Sequence, residues 1–115
     1  LLVQAWAIIY ITGHVYIFLD EPTASLDPKY QTLLMRTVKS LAEAKHATVF
    51  VVMHDLNLAA RWCDRVLLLN QGQLVVCDEP RHALTSARLE AVYGLPMNVM
   101  QHPHHAEYIW VVGHV

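Results

Sequence analysis

The stretch Tyr16-Ile17-Phe18-Leu19-Asp20-Glu21-Pro22-Thr23-Ala24-Ser25-Leu26-Asp27 constrains this chain more than any other, because it runs an apolar strand directly into two adjacent carboxylates and a turn. A short, almost uninterrupted apolar run bounded by turn residues suits a strand buried between helical layers. The acids then emerge at its carboxyl end, where open α/β sheets hold their ligands. Side chains alternate along a strand, so Asp20 and Glu21 cannot point the same way. One is free to hold a divalent cation while the other faces a water molecule as base or orienter. Asp27 before Pro28 makes an N-cap and first-turn pair for a following helix.

Further along, Pro28 to about Lys45 is helical in pattern. Tyr30, Leu34, Val38, Leu41 and Ala42 share one face, and Lys29, Arg36, Lys39 and Glu43 the other. Thr48 to Met53 is a β-branched run closed by His54-Asp55. A strand, helix, strand order calls for a parallel crossover, which sets the second strand beside the first with both ends on one edge. His54 is therefore expected beside Asp20 and Glu21, where an imidazole donor suits an anionic phosphoryl group. Asn57 to Cys63 reads as a short helix capped by Asp55 or Asn57. Val66–Leu69 and Leu74–Cys77 flank Asn70-Gln71-Gly72-Gln73 as an antiparallel hairpin. A polar segment opened by Pro80 leads to a small helix at Ser86–Tyr93, ended by Gly94 and Pro96.

The string Leu-Asp-Glu-Pro-Thr-Ala-Ser-Leu-Asp, with His54 after the next strand, resembles the Walker B strand, D-loop and H-loop of the ATP-binding-cassette (ABC) ATPases. The resemblance implies an α/β fold: part of a P-loop NTPase-like parallel sheet with covering helices, a C-terminal hairpin and a small helix. It also implies roles. Asp20 is the magnesium-side acid, Glu21 the catalytic carboxylate, His54 the switch histidine that bonds the γ-phosphate, and Ser25 and Asp27 belong to a D-loop that crosses to a second ATPase subunit. ATP and Mg²⁺ are the implied cofactors. A head-to-tail ATPase dimer and transmembrane permease subunits are the implied partners, with the ATPase peripheral on the cytoplasmic face of the inner membrane. Leu89-Glu90-Ala91-Val92-Tyr93-Gly94-Leu95-Pro96 is similar to the C-terminal part of iron-chelate and haem importer ATPases. On this reading residues 1–115 are the C-terminal part of a nucleotide-binding domain, with 80–115 as its extension.

Other features bound that reading. The four glycines, at positions 13, 72, 94 and 113, are none of them followed by Lys, so these residues contain no Gly-x-x-x-x-Gly-Lys-Ser/Thr phosphate cradle. No Leu-Ser-Gly-Gly signature is present either. The chain alone is therefore expected to bind ATP weakly or not at all and not to turn it over, and to expose a sheet edge or apolar face. Its absent initiator Met suits a fragment. A 55% apolar and 16% charged composition fits a domain lacking some of its cover. A formal charge of −2 with no basic cluster gives no reason to expect a nucleic-acid partner.

Residues Leu1 to Tyr10 read as the end of a buried helix closed by Gly13. The uncharged stretch Leu1–Leu19 has the length of a membrane span, but Gln4, Thr12, Gly13 and His14 interrupt it. Cys63 and Cys77 read as two apolar thiols of a reducing compartment. Met97 to Val115 is a tail with a last strand at Tyr108–Val112. His102, His104 and His105 within it could bind a metal or haem, or form an exposed loop. Two alternatives to the importer reading thus stand: an ABC-type ATPase of DNA repair or chromosome organisation, and a non-enzymatic histidine-rich metal or haem module.

Overall fold

The computed structural model describes residues 3–9, 15–105 and 107–113. Five strands form the main sheet: β1 (Val3–Ile9), β2 (Val15–Asp20), β3 (Ala47–Met53), β4 (Arg65–Asn70) and β5 (Gln73–Asp78), in the order β2-β3-β1-β4-β5. The parallel part is the β2–β3 pair, in register from Val15 opposite Ala47 to Asp20 opposite Val52. All other neighbours are antiparallel.

β1 is the main correction to the sequence reading, which expected a helix here; Gly13, its expected terminator, lies outside the described residues. The pairing shows why a strand wins. β3 presents two hydrogen-bonding edges, β2 fills one, and its other edge must find a partner or remain unpaired at the centre of the sheet. β1 fills that slot, with Ala5 opposite Met53 and Ile9 opposite Val49, and carries β4 on its far side. A short, mostly apolar stretch such as Val3–Ile9 cannot be assigned to helix or strand by periodicity alone.

Helix α1 (Pro28–Lys45) connects β2 to β3, as the composition of its first turn predicts: Asp27 sits at the N-cap and Pro28 at the first helical position. The Asp27 side chain makes no capping hydrogen bond, however, and Asp27 contributes its carbonyl to Gln31 N–H at 2.9 Å. The buried stripe is Met35, Val38 and Ala42, flanked by partly buried Leu34. Tyr30 and Leu41, expected on that stripe, are exposed. His46 ends the helix in a left-handed conformation (φ 50°) and its N–H returns to Glu43 and Ala42. α2 (Leu56–Trp62) follows β3 directly. Asp55 is its N-cap, and its Oδ1 accepts from Asn57 N–H at 2.9 Å and Leu58 N–H at 3.2 Å.

The β4–β5 turn falls on Gln71 (φ 52°) and Gly72 (φ 78°), the two positive values of a type I′ hairpin loop. α3 (Pro80–Ala83) and α4 (Ser86–Tyr93) come next; Thr85 caps α4 through its hydroxyl, and Gly94 closes it at φ 75°. A second, two-stranded sheet ends the described chain: β6 (Met97–Gln101), which the sequence reading left as tail, antiparallel to β7 (Ile109–Gly113).

One cluster holds these pieces together. Met35, Val49, Val51 and Met53 continue through Ala59, Val66 and Leu68 to Leu84, Leu89, Met97 and Val111. Burying each large aliphatic side chain contributes roughly 1.5–3 kcal/mol. β2 lies at the sheet edge with Val15, Tyr16 and Phe18 at 46, 62 and 66% exposure, the open apolar edge that the sequence reading expected. Phe18 stacks on Phe50 there at 4.9 Å between centroids.

Candidate functional site

The carboxyl ends of β2 and β3 reach one rim because the strands are parallel and in register. At that rim the Glu21 N–H donates to the Val52 carbonyl at 3.0 Å, extending the ladder one residue past the strand. Glu21 then takes φ 48°, left-handed for a residue with a Cβ, a conformation that costs about 1–2 kcal/mol. The chain turns sharply at this point. Its carboxylate meets His54, the residue after β3, in a direct Oε1–Nε2 contact. The rim has brought together two groups 33 positions apart in sequence.

Asp20 ends β2 exposed to solvent, one strand position before Glu21. The turn beyond is fixed from beneath by Thr23, which is buried and whose carbonyl accepts from Leu26 N–H at 3.2 Å and from the Gln31 side chain at 3.4 Å. Ser25, Leu26 and Asp27 are consequently lifted to the surface. Four of the five candidate residues therefore lie on one rim and its turn, and His54 meets Glu21 from the end of the neighbouring strand.

Sequence reasoning offered Asn57 only as an alternative cap to Asp55, which is the cap observed, and missed its tie to β7. The Asn57 side chain donates to the Val111 carbonyl at 3.0 Å and accepts from Val111 N–H at 2.7 Å. That pair of bonds fastens β7 to the helix that starts after His54. An Asn at the second helical position gives no hint of a partner 54 residues away.

The histidine cluster has a structural use. His102 Nδ1 accepts from the backbone N–H groups of His104 at 3.1 Å and His105 at 3.2 Å, and its ring meets Trp110 edge-on at 5.1 Å. A ring nitrogen accepting two amides has its lone pair engaged, so His102 organises the turn and leaves Nε2 as a donor. Among the described residues no three His, Cys, Asp or Glu side chains converge as a metal site. Cys63 and Cys77 are both free thiols. Burial, with Asp64 adding to it, pushes the Cys63 thiol up to about 12.

The fold that carries this rim matches that of an ABC transporter ATPase. The chain superimposes on a metal-chelate type ABC transporter in an inward-facing conformation with a TM-score of 0.75. The match covers 87% of this chain and 40% of that one at 30% identity. The chain is a relative of the ATP-binding subunits of ABC transporters. It is 47% identical over 91 residues to the hemin import ATP-binding protein HmuV of Bordetella avium, 79% of this chain and 35% of that protein. It is 49% identical over 87 residues to HmuV of Pseudomonas putida. The chain thus spans about a third of the length of these curated relatives. No family model matches it. Among the described residues no helix is long and apolar enough to cross a membrane.

Proposed function

We propose that residues 15–79 form the hydrolytic half of an ABC ATPase site that energises import of haem or an iron chelate. The supporting observation is the Glu21–His54 contact on the rim of β2 and β3, in a chain 47% identical over 91 residues to a hemin import ATP-binding protein. In this reading Asp20 offers an exposed carboxylate oxygen of the hard kind that Mg²⁺ takes. Bound Mg²⁺ would neutralise charge on the phosphate oxygens. Glu21 orients the attacking water and accepts its proton. His54 donates a hydrogen bond to the phosphoryl group. These two side chains already meet, so binding would exchange their mutual contact for contacts to water and phosphate. Ser25 and Asp27, raised on the turn, reach toward a second ATPase subunit. Permease subunits would seat the pair on the cytoplasmic face of the membrane.

The division of labour follows from what these residues supply. Asp20, Glu21 and His54 act on a phosphoryl group that nothing in this sequence anchors, so the chain by itself is expected to show no ATP turnover. A hybrid separates the two halves: residues 15–95 replace the matching segment of a hemin import ATP-binding protein that retains its own phosphate loop. The hybrid is expected to hydrolyse ATP and to lose at least about 100-fold on Glu21→Gln with nucleotide binding kept, the scale on which a positioned base acts. Unchanged turnover in that variant refutes the assignment of Glu21.

A further inference from the structure

The cleft that α1 and α2 form with His102, His105, Tyr108 and Trp110 belongs to none of the roles above. It encloses about 240 Å³. We propose that it binds a small planar aromatic carboxylate.

Two kinds of wall point to that class. The first is aromatic: Tyr108 and Trp110 line the cleft with His102, whose ring stands edge-on to the indole. Flat π surfaces of this kind favour a stacked or edge-on ring over an aliphatic chain. The second is cationic. Arg61 lines the same cleft and rests its guanidinium 5.0 Å over the Trp62 ring, making no ion pair among the described residues. A guanidinium fork matches a carboxylate in a bidentate geometry that an ammonium cannot reproduce. His102 adds an Nε2 donor, because its Nδ1 is occupied by two backbone amides.

Asp55 is the one carboxylate on the lining, and its charge does not cancel this preference. Its Oδ1 is spent on the first turn of α2, where two N–H groups and the positive end of the helix offset it. Size limits the ligand further. The cavity falls below the roughly 300–1,000 Å³ of clefts that enclose drug-sized molecules, so one or two fused rings fit it. None of these residues is one assigned to hydrolysis, and the proposal stands whether or not the ATPase reading does.

The test uses the 115-residue chain and three probes with the same ring system: 2-naphthoate, neutral 2-naphthalenemethanol and cationic 2-naphthylmethylammonium. Isothermal calorimetry measures affinity, and tryptophan fluorescence reports contact with Trp110. The expected result is saturable 1:1 binding of 2-naphthoate with Kd below about 1 mM and at least tenfold weaker binding of the other two. Arg61→Gln weakens the carboxylate at least tenfold, Arg61→Lys less, and Trp110→Phe removes most of the fluorescence response while heat is still released. Arg61 is exposed, so its replacement leaves the fold in place, which a melting curve verifies. No binding of 2-naphthoate, equal binding of the neutral probe, or an unchanged Arg61→Gln affinity would each overturn the proposal; the probe series on unaltered protein decides even if a variant misfolds.

Discussion

Replacing Asn57 with Ala should loosen the C-terminal sheet from the rest of the molecule, by an amount the structure allows to be worked out. A two-stranded sheet is marginal in isolation, so β6 and β7 depend on what they dock against. Met97, Ile109 and Val111 bury their side chains, while Ser86 Oγ accepts from Val99 N–H at 3.0 Å and Glu90 from Met97 N–H at 3.3 Å. On the β7 side the polar fastening is Asn57, through bonds of 2.7 and 3.0 Å to the two backbone groups of Val111. Each intramolecular hydrogen bond contributes about 1 kcal/mol net, and more when its loss strands a buried group. Val111 is only 9% exposed, so Asn57→Ala should cost about 2–3 kcal/mol. Ala returns about 0.5 kcal/mol of helix propensity in α2, leaving a net loss near 2 kcal/mol. That is a large part of the ~5–15 kcal/mol that holds a domain folded. Urea titration measures the total, and hydrogen exchange at the Val111 amide locates it, with a protection loss of at least tenfold expected there. Asn57→Asp keeps the acceptor for Val111 N–H but turns an oxygen on the Val111 carbonyl, so it should be no better than Ala. A change below about 0.5 kcal/mol, together with unaltered exchange at Val111, would refute the reasoning.

Two other outcomes can be checked quickly. Iodoacetamide at pH 8 should modify exposed Cys77 well before Cys63, whose thiol is buried and pushed up to about 12. The same shift means the folded chain keeps a proton that the unfolded chain releases near pH 9, so Cys63's contribution to stability is complete below pH 9 and lost as pH rises toward 12. A Cys63→Ala variant with an identical alkaline denaturation profile argues against it. Phe18→Lys, on the open β2 edge, should reduce self-association in light scattering without lowering the melting temperature by more than a few degrees, since a charge on an edge strand blocks edge-to-edge pairing; unchanged scattering argues against that edge as the sticky surface.

Much of this architecture was legible because local chemistry and global order agree. Pro28 after Asp27 sets where α1 begins, and the strand, helix, strand order alone brings His54 to the rim with Glu21. The β4–β5 hairpin was readable from Gly72, since its positive φ is what a two-residue loop requires. What escaped is non-local. Nothing near residues 3–9 announces that β3 lacks a neighbour, and a short, mostly apolar stretch suits a helix as well as a strand. The backbone turn at Glu21 and the Asn57–Val111 fastening depend on partners that the linear order does not bring near. His102 was weighed as a ligand from its neighbours' identities, whereas the two amides that occupy its Nδ1 come from the backbone, which sequence composition does not display.

The placement of β1 has a consequence for how such a chain comes off the ribosome. β1 is made before both strands it pairs with, which follow it by roughly 40 and 60 residues. Until then those apolar residues have no ladder to join and are a target for chaperones or for other nascent chains. Loss of β1 would also separate the β2–β3 pair from the β4–β5 hairpin, so a change confined to residues 3–9 would be felt at the middle of the sheet rather than at its margin.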